Sequence, residues 1–168
     1  MKRILNIGCG NESYGTDRID FVKTNTTTKV CNFEKGKLPY PSNYFDEIYC
    51  KSVIEHIKNL GNLIDEIHRV LKSGGKIWIR TDYAGYIAWH ISKKHEHNFI
   101  LNNAYGHKSM EDAHYHLFVE SHLRFLFKRF KNIKINYFYG GRNGFIRLIM
   151  KILPFNLGAF HIDLEAIK

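Results

Sequence analysis

Short apolar runs alternate with polar, turn-rich stretches along the first half of the chain. The first run, residues 3–7, leads directly into a Gly-Cys-Gly turn. Runs of this length, bounded by glycine, proline or asparagine, are typical of buried strands. The pattern predicts five strands in this half, over residues 3–7, 16–21, 29–32, 45–50 and 76–81.

A helical period separates the fourth and fifth of these strands, over residues 59–71. Asp65, Glu66 and Arg69 lie on the polar side of the predicted helix, and six apolar residues share the opposite face. Those six are Leu60, Leu63, Ile64, Ile67, Val70 and Leu71. The glycine-rich stretch 73–75 is expected to end this amphipathic helix.

The second half begins with a polar, histidine-rich insertion at about residues 82–120. After it, the pattern predicts a helix over 121–130, a strand over 132–139, a short helix over 145–153 and a last strand over 159–167. Strands that alternate with helices indicate an α/β fold. We predict a Rossmann-like, mostly parallel seven-stranded sheet with an antiparallel last strand and helices on both faces. A chain of 168 residues suits a single domain over residues 1–168.

The formal net charge of +9 is unevenly distributed. Residues 1–84 carry 13 lysines and arginines against 10 acids, whereas residues 85–168 carry 12 against 6. The basic second half favours an anionic partner such as nucleic acid, a phosphorylated small molecule or a membrane surface. A solvated basic surface without a partner is the alternative.

Three cysteines are an odd number, and they share no metal-ligand spacing with one another. This pattern favours a reduced, cytoplasmic setting. No apolar run reaches membrane-spanning length, and the first residues lack the apolar stretch of a signal peptide.

Glycines at the end of the first strand suit a ligand site, with a tight strand-to-loop turn as the alternative. In parallel sheets, ligands bind beyond the carboxyl ends of the strands, and glycine lets the backbone approach them closely. Asp20 ends the second strand, where a carboxylate can accept hydrogen bonds from both ribose hydroxyls. A nicotinamide dinucleotide fits poorly, because Ser13 stands where that fingerprint needs its third glycine and Asp20 comes too early. A nucleoside without phosphates fits better.

Four consecutive stretches resemble the motifs of class I S-adenosylmethionine-dependent methyltransferases. They are ILNIGCG, GTDRID, VCNFEKGKLPYPSNYFDEIYCKSVIEHI and EIHRVLKSGGKIWIRT, and together they cover residues 3–81 almost continuously. They are most similar to small methyltransferases described as acting on glycans and other small acceptors. The segment HYHLF, residues 114–118, resembles the family's H-x-x-x-[FY] segment.

The resemblance implies S-adenosyl-L-methionine as the cofactor, held by residues that match the family motifs. Asp20 would hold the ribose, Asn32 and Phe33 would flank the adenine, and two groups would lie along the methionine part. These groups are the backbones of Gly8, Cys9 and Gly10, and the segment Cys50, Lys51 and Ser52 with Glu55 beside it.

The chain also departs from the family at three places. Asn32 stands where members usually have Asp, and the helix that usually follows the glycine turn is reduced to residues 11–15. The usual helices before the first strand are absent, so we expect a reduced catalytic core.

Histidines are the candidate bases, because an imidazole pKa of about 6.5 suits proton transfer near neutrality. We predict His114, and after it His56, as acceptor-side catalytic groups; bracing the neighbouring helix is the alternative for His56. The pairs His95/His97 and His114/His116 have metal-ligand chemistry, but nothing in the sequence fixes their relative geometry. No metal site is therefore predicted.

The leading hypothesis is methyl transfer to an O or N atom of a small-molecule or glycan acceptor. The charge keeps an RNA methyltransferase open, although the segment 50–53 lacks the [ND]-P-P-[FY] motif usual in amino-methylating nucleic-acid enzymes. A non-catalytic S-adenosylmethionine-binding protein is the third hypothesis. The apolar segment 144–155 could pack in the core, pair two subunits of a homodimer or lie on a lipid surface, and the first two are favoured.

Overall fold

The computed structural model of the chain describes residues 1–86, 114–139 and 144–168. Within these residues, seven strands form one sheet in the order β3-β2-β1-β4-β5-β7-β6. The strands are β1 Ile4–Ile7, β2 Asp17–Asp20, β3 Lys29–Val30, β4 Phe45–Lys51, β5 Leu71–Asp82, β6 Lys131–Phe138 and β7 His161–Ile167. β7 runs antiparallel to both of its neighbours, β5 and β6, whereas the other paired strands are parallel. The predicted α/β fold with an antiparallel last strand is therefore confirmed.

Three α-helices and two short 3₁₀ helices accompany the sheet in the described part of the chain. The α-helices are α1 Leu60–Val70, α2 Glu120–Leu126 and α3 Gly144–Ile152, and the 3₁₀ helices are Ile54–His56 and Pro154–Asn156. The Asn59 side chain caps α1 by accepting a hydrogen bond from the Asn62 N–H. The predicted apolar face of α1 is buried against the core.

The glycine-rich stretch after α1 behaves differently from the prediction. The helix ends at Val70 because Leu71 is already extended and pairs with Phe45 of β4. Gly74 then adopts φ +75°, and its N–H donates to the Lys168 carbonyl. These glycines therefore form an irregular part of β5, where the register with β4 shifts, and do not end the helix.

The predicted helix over 121–130 is shorter in the structure, since α2 ends at Leu126. The next residues form a turn, and Phe127 and Phe130 still reach the core from it. Apolar spacing of three residues is satisfied equally by a helix and by this turn, which is why the pattern overestimated the helix.

The connections from β1 to β2, β2 to β3 and β3 to β4 contain no helix. Tyr14 lies in the first of them, with its ring 5.0 Å from that of Tyr49 and its hydroxyl donating to the Glu47 carboxylate at 2.5 Å. The predicted loss of a helix after the glycine turn is confirmed. A groove of about 720 Å³ lies on this sheet face and is lined by residues that include Tyr49, Trp78 and Ile133.

The strand order reverses beside β1, which pairs with β2 on one side and with β4 on the other. Buried residues such as Leu5, Ile19 and Ile48 fix these three strands in one core. The carboxyl ends of β1, β2 and β4 therefore meet at one edge, which is where open α/β sheets bind ligands.

Candidate active site

The turn after β1 is shaped for glycine. Gly8 and Gly10 have φ values of +66° and +50°, in the left-handed region that side chains disfavour. A Cβ atom on Gly8 would clash with Cγ2 of Val53, which follows β4. The turn therefore packs directly against the segment that follows the neighbouring strand.

The N–H groups of this turn are already used within the protein. Those of Gly8 and Cys9 both donate to the Ile19 carbonyl, at 2.9 and 3.1 Å. The Gly10 N–H donates to Oδ2 of Asp20 at 2.8 Å. A phosphate at a glycine-rich turn needs such donors, so their use by β2 agrees with the poor fit of a nicotinamide dinucleotide.

Asp20 ends β2 with its carboxylate held toward the turn. Besides the Gly10 contact, its Oδ1 accepts a hydrogen bond from the Val22 N–H at 3.3 Å. A carboxylate has about four acceptor positions, so two backbone donors orient it and leave capacity for a ligand.

Asp20 opens onto a cleft of about 200 Å³. Its lining includes Gly8, Phe33, Ser52 and His56. A larger hollow of about 440 Å³ adjoins it and shares Phe21 and His56; Asn32, Glu34, Lys58 and Tyr115 also line this hollow. We refer to the two together as the Asp20 cleft. The Phe21 and Phe33 rings both line it, and their centres lie 4.1 Å apart.

Four of the predicted cofactor residues turn their side chains elsewhere. Cys9 and Cys50 are buried in the core, and Cys9 Sγ lies 3.7 Å from the Thr27 hydroxyl. The Lys51 ammonium pairs with the Glu12 carboxylate at 2.5 Å. By contrast Ser52, with φ +51°, lines the cleft. The structure thus brings Gly8, Asp20, Asn32, Phe33, Ser52 and His56 together around the cleft.

Glu55 is the fourth predicted cofactor residue whose side chain turns away from the cleft, and it is buried. Its Oε2 accepts a hydrogen bond from the Thr81 hydroxyl at 2.8 Å. Its backbone carbonyl accepts from the N–H groups of Tyr115 and His116, at 2.7 and 3.2 Å. Burial, together with the nearby Asp82 carboxylate, raises the pKa of Glu55 to about 7. Glu55 therefore ties the segment around His114 to the 3₁₀ helix Ile54–His56.

His114 belongs to a buried cluster at the end of β5. Its Nδ1 lies 3.1 Å from Oδ2 of Asp82, and its ring meets that of His56 edge-on at 4.4 Å. The other Asp82 oxygen lies 3.3 Å from Nε2 of His161, and burial lowers the pKa of His161. Both predicted catalytic histidines therefore lie side by side, and His56 also lines the Asp20 cleft.

Sequence reasoning missed Asp82 and His161. The available signal was an acid at the end of a strand, since Asp82 ends β5 as Asp20 ends β2. His161 reaches it through the antiparallel pairing of β5 and β7, where the two residues are register partners.

The residues that the structure describes contain no group of three or more histidines, cysteines or acids arranged for a metal ion. His116 turns its Nε2 to the Ile57 carbonyl at 3.0 Å. His95 and His97 lie outside the described residues.

Comparison with known proteins gives the class. Residues 9–79 match a family model described as a methyltransferase domain. Over 97 residues the chain is 33% identical to sterol 24-C-methyltransferase of Pneumocystis carinii. The aligned region covers 55% of this chain and 24% of that protein. The chain thus spans about a quarter of the length of this curated relative.

Solved structures share the fold at low sequence identity. A methyltransferase from Archaeoglobus fulgidus superposes with a TM-score of 0.67 at 16% identity, over 99% of this chain and 86% of that one. Phosphoethanolamine N-methyltransferase 2 of Haemonchus contortus, in complex with S-adenosyl-L-methionine, superposes with a TM-score of 0.67 at 18% identity. This superposition covers 99% of this chain and 48% of that one.

The sheet order and the cleft at its reversal point define a Rossmann-like methyltransferase fold. The match of residues 9–79 to the methyltransferase domain supports the predicted class I S-adenosylmethionine-dependent methyltransferase family. S-adenosylmethionine is the cofactor of this family, so the predicted family and cofactor are confirmed.

Proposed function

We propose that this protein transfers a methyl group from S-adenosylmethionine to an O or N atom of a small-molecule or glycan acceptor. The observation that carries the proposal is the continuity of the site. His56 lines the Asp20 cleft and contacts the His114 ring, and Nδ1 of His114 lies 3.1 Å from the Asp82 carboxylate. A cofactor cleft and a candidate base thus adjoin at one edge of the sheet.

The chemistry of the cleft suits this cofactor. Asp20 would accept hydrogen bonds from the ribose hydroxyls, and the Asn32 and Phe33 side chains would flank the adenine. The methionine part would lie along the backbones of Gly8, Cys9 and Gly10 and beside Ser52. Two carboxylates, Asp20 and Glu34, line the cleft with Lys58 as its one cation among the described residues, which favours a positively charged ligand over a phosphorylated one.

S-adenosylmethionine, when bound, supplies an electrophilic methyl group. The chain's task is to hold the acceptor in line and to receive its proton, and positioning provides most of the acceleration. In this proposal Nε2 of His114 takes the acceptor's proton, and the Asp82 carboxylate, 3.1 Å from Nδ1, stabilises the imidazolium that forms. His56 orients the His114 ring through their edge contact.

Small acceptors are supported by the names of two relatives, which specify a sterol and phosphoethanolamine. An RNA acceptor stays the alternative because of the basic second half, and a non-catalytic S-adenosylmethionine-binding protein is the third hypothesis. A homodimer and a cytoplasmic location stay predictions. None of the helices in residues 1–86, 114–139 and 144–168 is long and apolar enough to cross a bilayer.

The test measures S-adenosylhomocysteine formed from S-adenosylmethionine with pooled small amines, alcohols and saccharides, and separately with RNA. We expect turnover on a small acceptor, reduced about 100-fold or more by His114→Gln with cofactor binding retained. His122→Gln, which changes an exposed histidine on α2, is the matched control and should keep full activity. Turnover on RNA alone, or tight cofactor binding without turnover on any acceptor, would overturn the proposal.

A further inference from the structure

We propose that α3 and the turn after it dock this protein onto an anionic lipid bilayer. The surface consists of Leu148, Ile149, Ile152 and Phe155, which we call the α3 patch. Their exposures are 58%, 46%, 74% and 85%. This interaction surface goes beyond the proposed function and does not depend on it.

The α3 patch is an apolar helix face turned outward. Leu148, Ile149 and Ile152 follow the spacing that places residues on one side of a helix. Single exposed apolar residues are common, but several on one face mark an interaction surface. The core position that the sequence favoured for this segment is therefore wrong for these side chains.

Specific contacts hold the exposed turn in place. Phe155 and Asn156 both have positive φ, at +53° and +58°, a conformation that costs free energy and persists only where the surroundings impose it. The Tyr83 hydroxyl donates to the Phe155 carbonyl at 3.1 Å, and the Tyr139 hydroxyl donates to Oδ1 of Asn156 at 2.6 Å. The Phe155 ring thus projects from an anchored backbone.

Charge identifies the occupant. Residues 140–160, which include α3 and the turn after it, contain Arg142, Arg147 and Lys151 and no acid. Lys151 lies on α3 itself and is exposed. A basic segment of this kind is attracted to anionic lipid headgroups, whereas two copies of it repel each other.

A short apolar face and a basic segment together provide the two signals that stable interfacial binding requires. Amphipathic helices that lie in the headgroup region typically place large apolar side chains on the buried side and lysine on the polar side. The α3 patch with Lys151 has this composition.

The turn after α3 is hydrogen-bonded to the residue that follows Asp82. Tyr83, which binds the Phe155 carbonyl, directly follows Asp82 in the chain.

The experiment is cosedimentation of the full chain with vesicles of phosphatidylcholine alone and with vesicles that also contain phosphatidylserine. We expect binding to the anionic vesicles that weakens with added salt. The double variant Ile152→Ser/Phe155→Ser should bind them about tenfold more weakly or worse, because two large apolar side chains no longer enter the interface.

Phe125→Ser is the matched control, since Phe125 is 67% exposed but lies on α2, outside the patch. It should bind like the wild type, and all variants should keep the wild-type unfolding transition and S-adenosylmethionine affinity. Absence of vesicle binding, equal loss in Phe125→Ser, or a lipid-free dimer that the double variant dissociates would overturn the docking proposal. Because the readout is sedimentation, these results are independent of whether the chain transfers methyl groups.

Discussion

At Gly8 the backbone leaves β1 and lines the Asp20 cleft. Val53 occupies the space that a side chain at this position would need. Sequence alone indicated this glycine and Asp20, because their residue types and their places at strand ends carry the information. It could not indicate which way Cys50 and Glu55 face, since a position within a motif does not specify whether a side chain turns to the cleft or to the core.

Gly8→Ala should lower the free energy of unfolding by about 2 to 4 kcal/mol, from left-handed backbone strain together with the clash against Val53. Gly10→Ala is the matched control, because Gly10 has a similar φ but open space around its missing Cβ, so it should cost only about 1 to 2 kcal/mol. Urea unfolding measures both. Equal losses in the two variants, or no partial recovery in Gly8→Ala/Val53→Ala, would contradict the packing argument.

Glu55 should make stability depend on pH between its ordinary pKa of 4.5 and its raised value of about 7. In that interval the unfolded chain has released the proton and the folded chain still holds it. The wild type therefore loses roughly 1.4 kcal/mol per pH unit from this group as pH rises, and nothing further above the interval. Glu55→Gln should lack this slope in urea unfolding measured across the range.

Thr81→Val provides a second readout on Glu55. The Thr81 hydroxyl favours the ionised carboxylate, so its removal should extend the pH interval upward. Identical pH profiles for the wild type and Glu55→Gln would show that Glu55 keeps an ordinary pKa.

Among the elements, β5 and β7 share a paired ion contact that fixes their antiparallel register. Arg80 donates to both oxygens of Asp163 at 2.7 and 2.6 Å, and the two residues are direct register partners. Their side chains are mostly buried. Removal of one partner leaves the other charge without compensation in a poorly solvated site.

Arg80→Leu should therefore lower the free energy of unfolding by about 3 kcal/mol or more, and Arg80→Leu/Asp163→Leu should recover part of the loss. The exposed pair between Arg129 and Asp65 is the control, where Arg129→Leu should cost less than about 1 kcal/mol. If the single change at Arg80 costs no more than the change at Arg129, the β5–β7 pair does not stabilise the sheet.

The elements differ in how well the pattern predicted them. The bounds of α1 were predicted closely because its apolar face begins at Leu60, directly after the Asn59 cap. The role of Gly74 was predicted wrongly, because a glycine pair is compatible both with the end of a helix and with an irregularity in a strand. The strand β3 is shorter than predicted, since only two of its residues pair with β2.

On the scale of the whole molecule, the sheet order brings the ligand residues to one edge. The order of apolar segments predicted a parallel sheet, and the glycine turn marked its ligand edge. The cluster of Asp82, His114 and His161 could not be predicted in the same way, because it depends on the register between β5 and β7 and on the hydrogen bonds from residues 115 and 116 to the Glu55 carbonyl. Such long-range pairings leave no local signal in the sequence.

Calorimetric titration with S-adenosylmethionine tests the central claim most directly, since every functional step begins with this molecule in the Asp20 cleft. We predict saturable binding that NADH does not displace, weakened about tenfold or more by Asp20→Ala because charge-assisted hydrogen bonds are lost. Asp65→Ala, which removes the same charge from the exposed face of α1, should leave the affinity unchanged. No binding by the wild type, displacement by NADH, or an unchanged dissociation constant in Asp20→Ala would contradict the account.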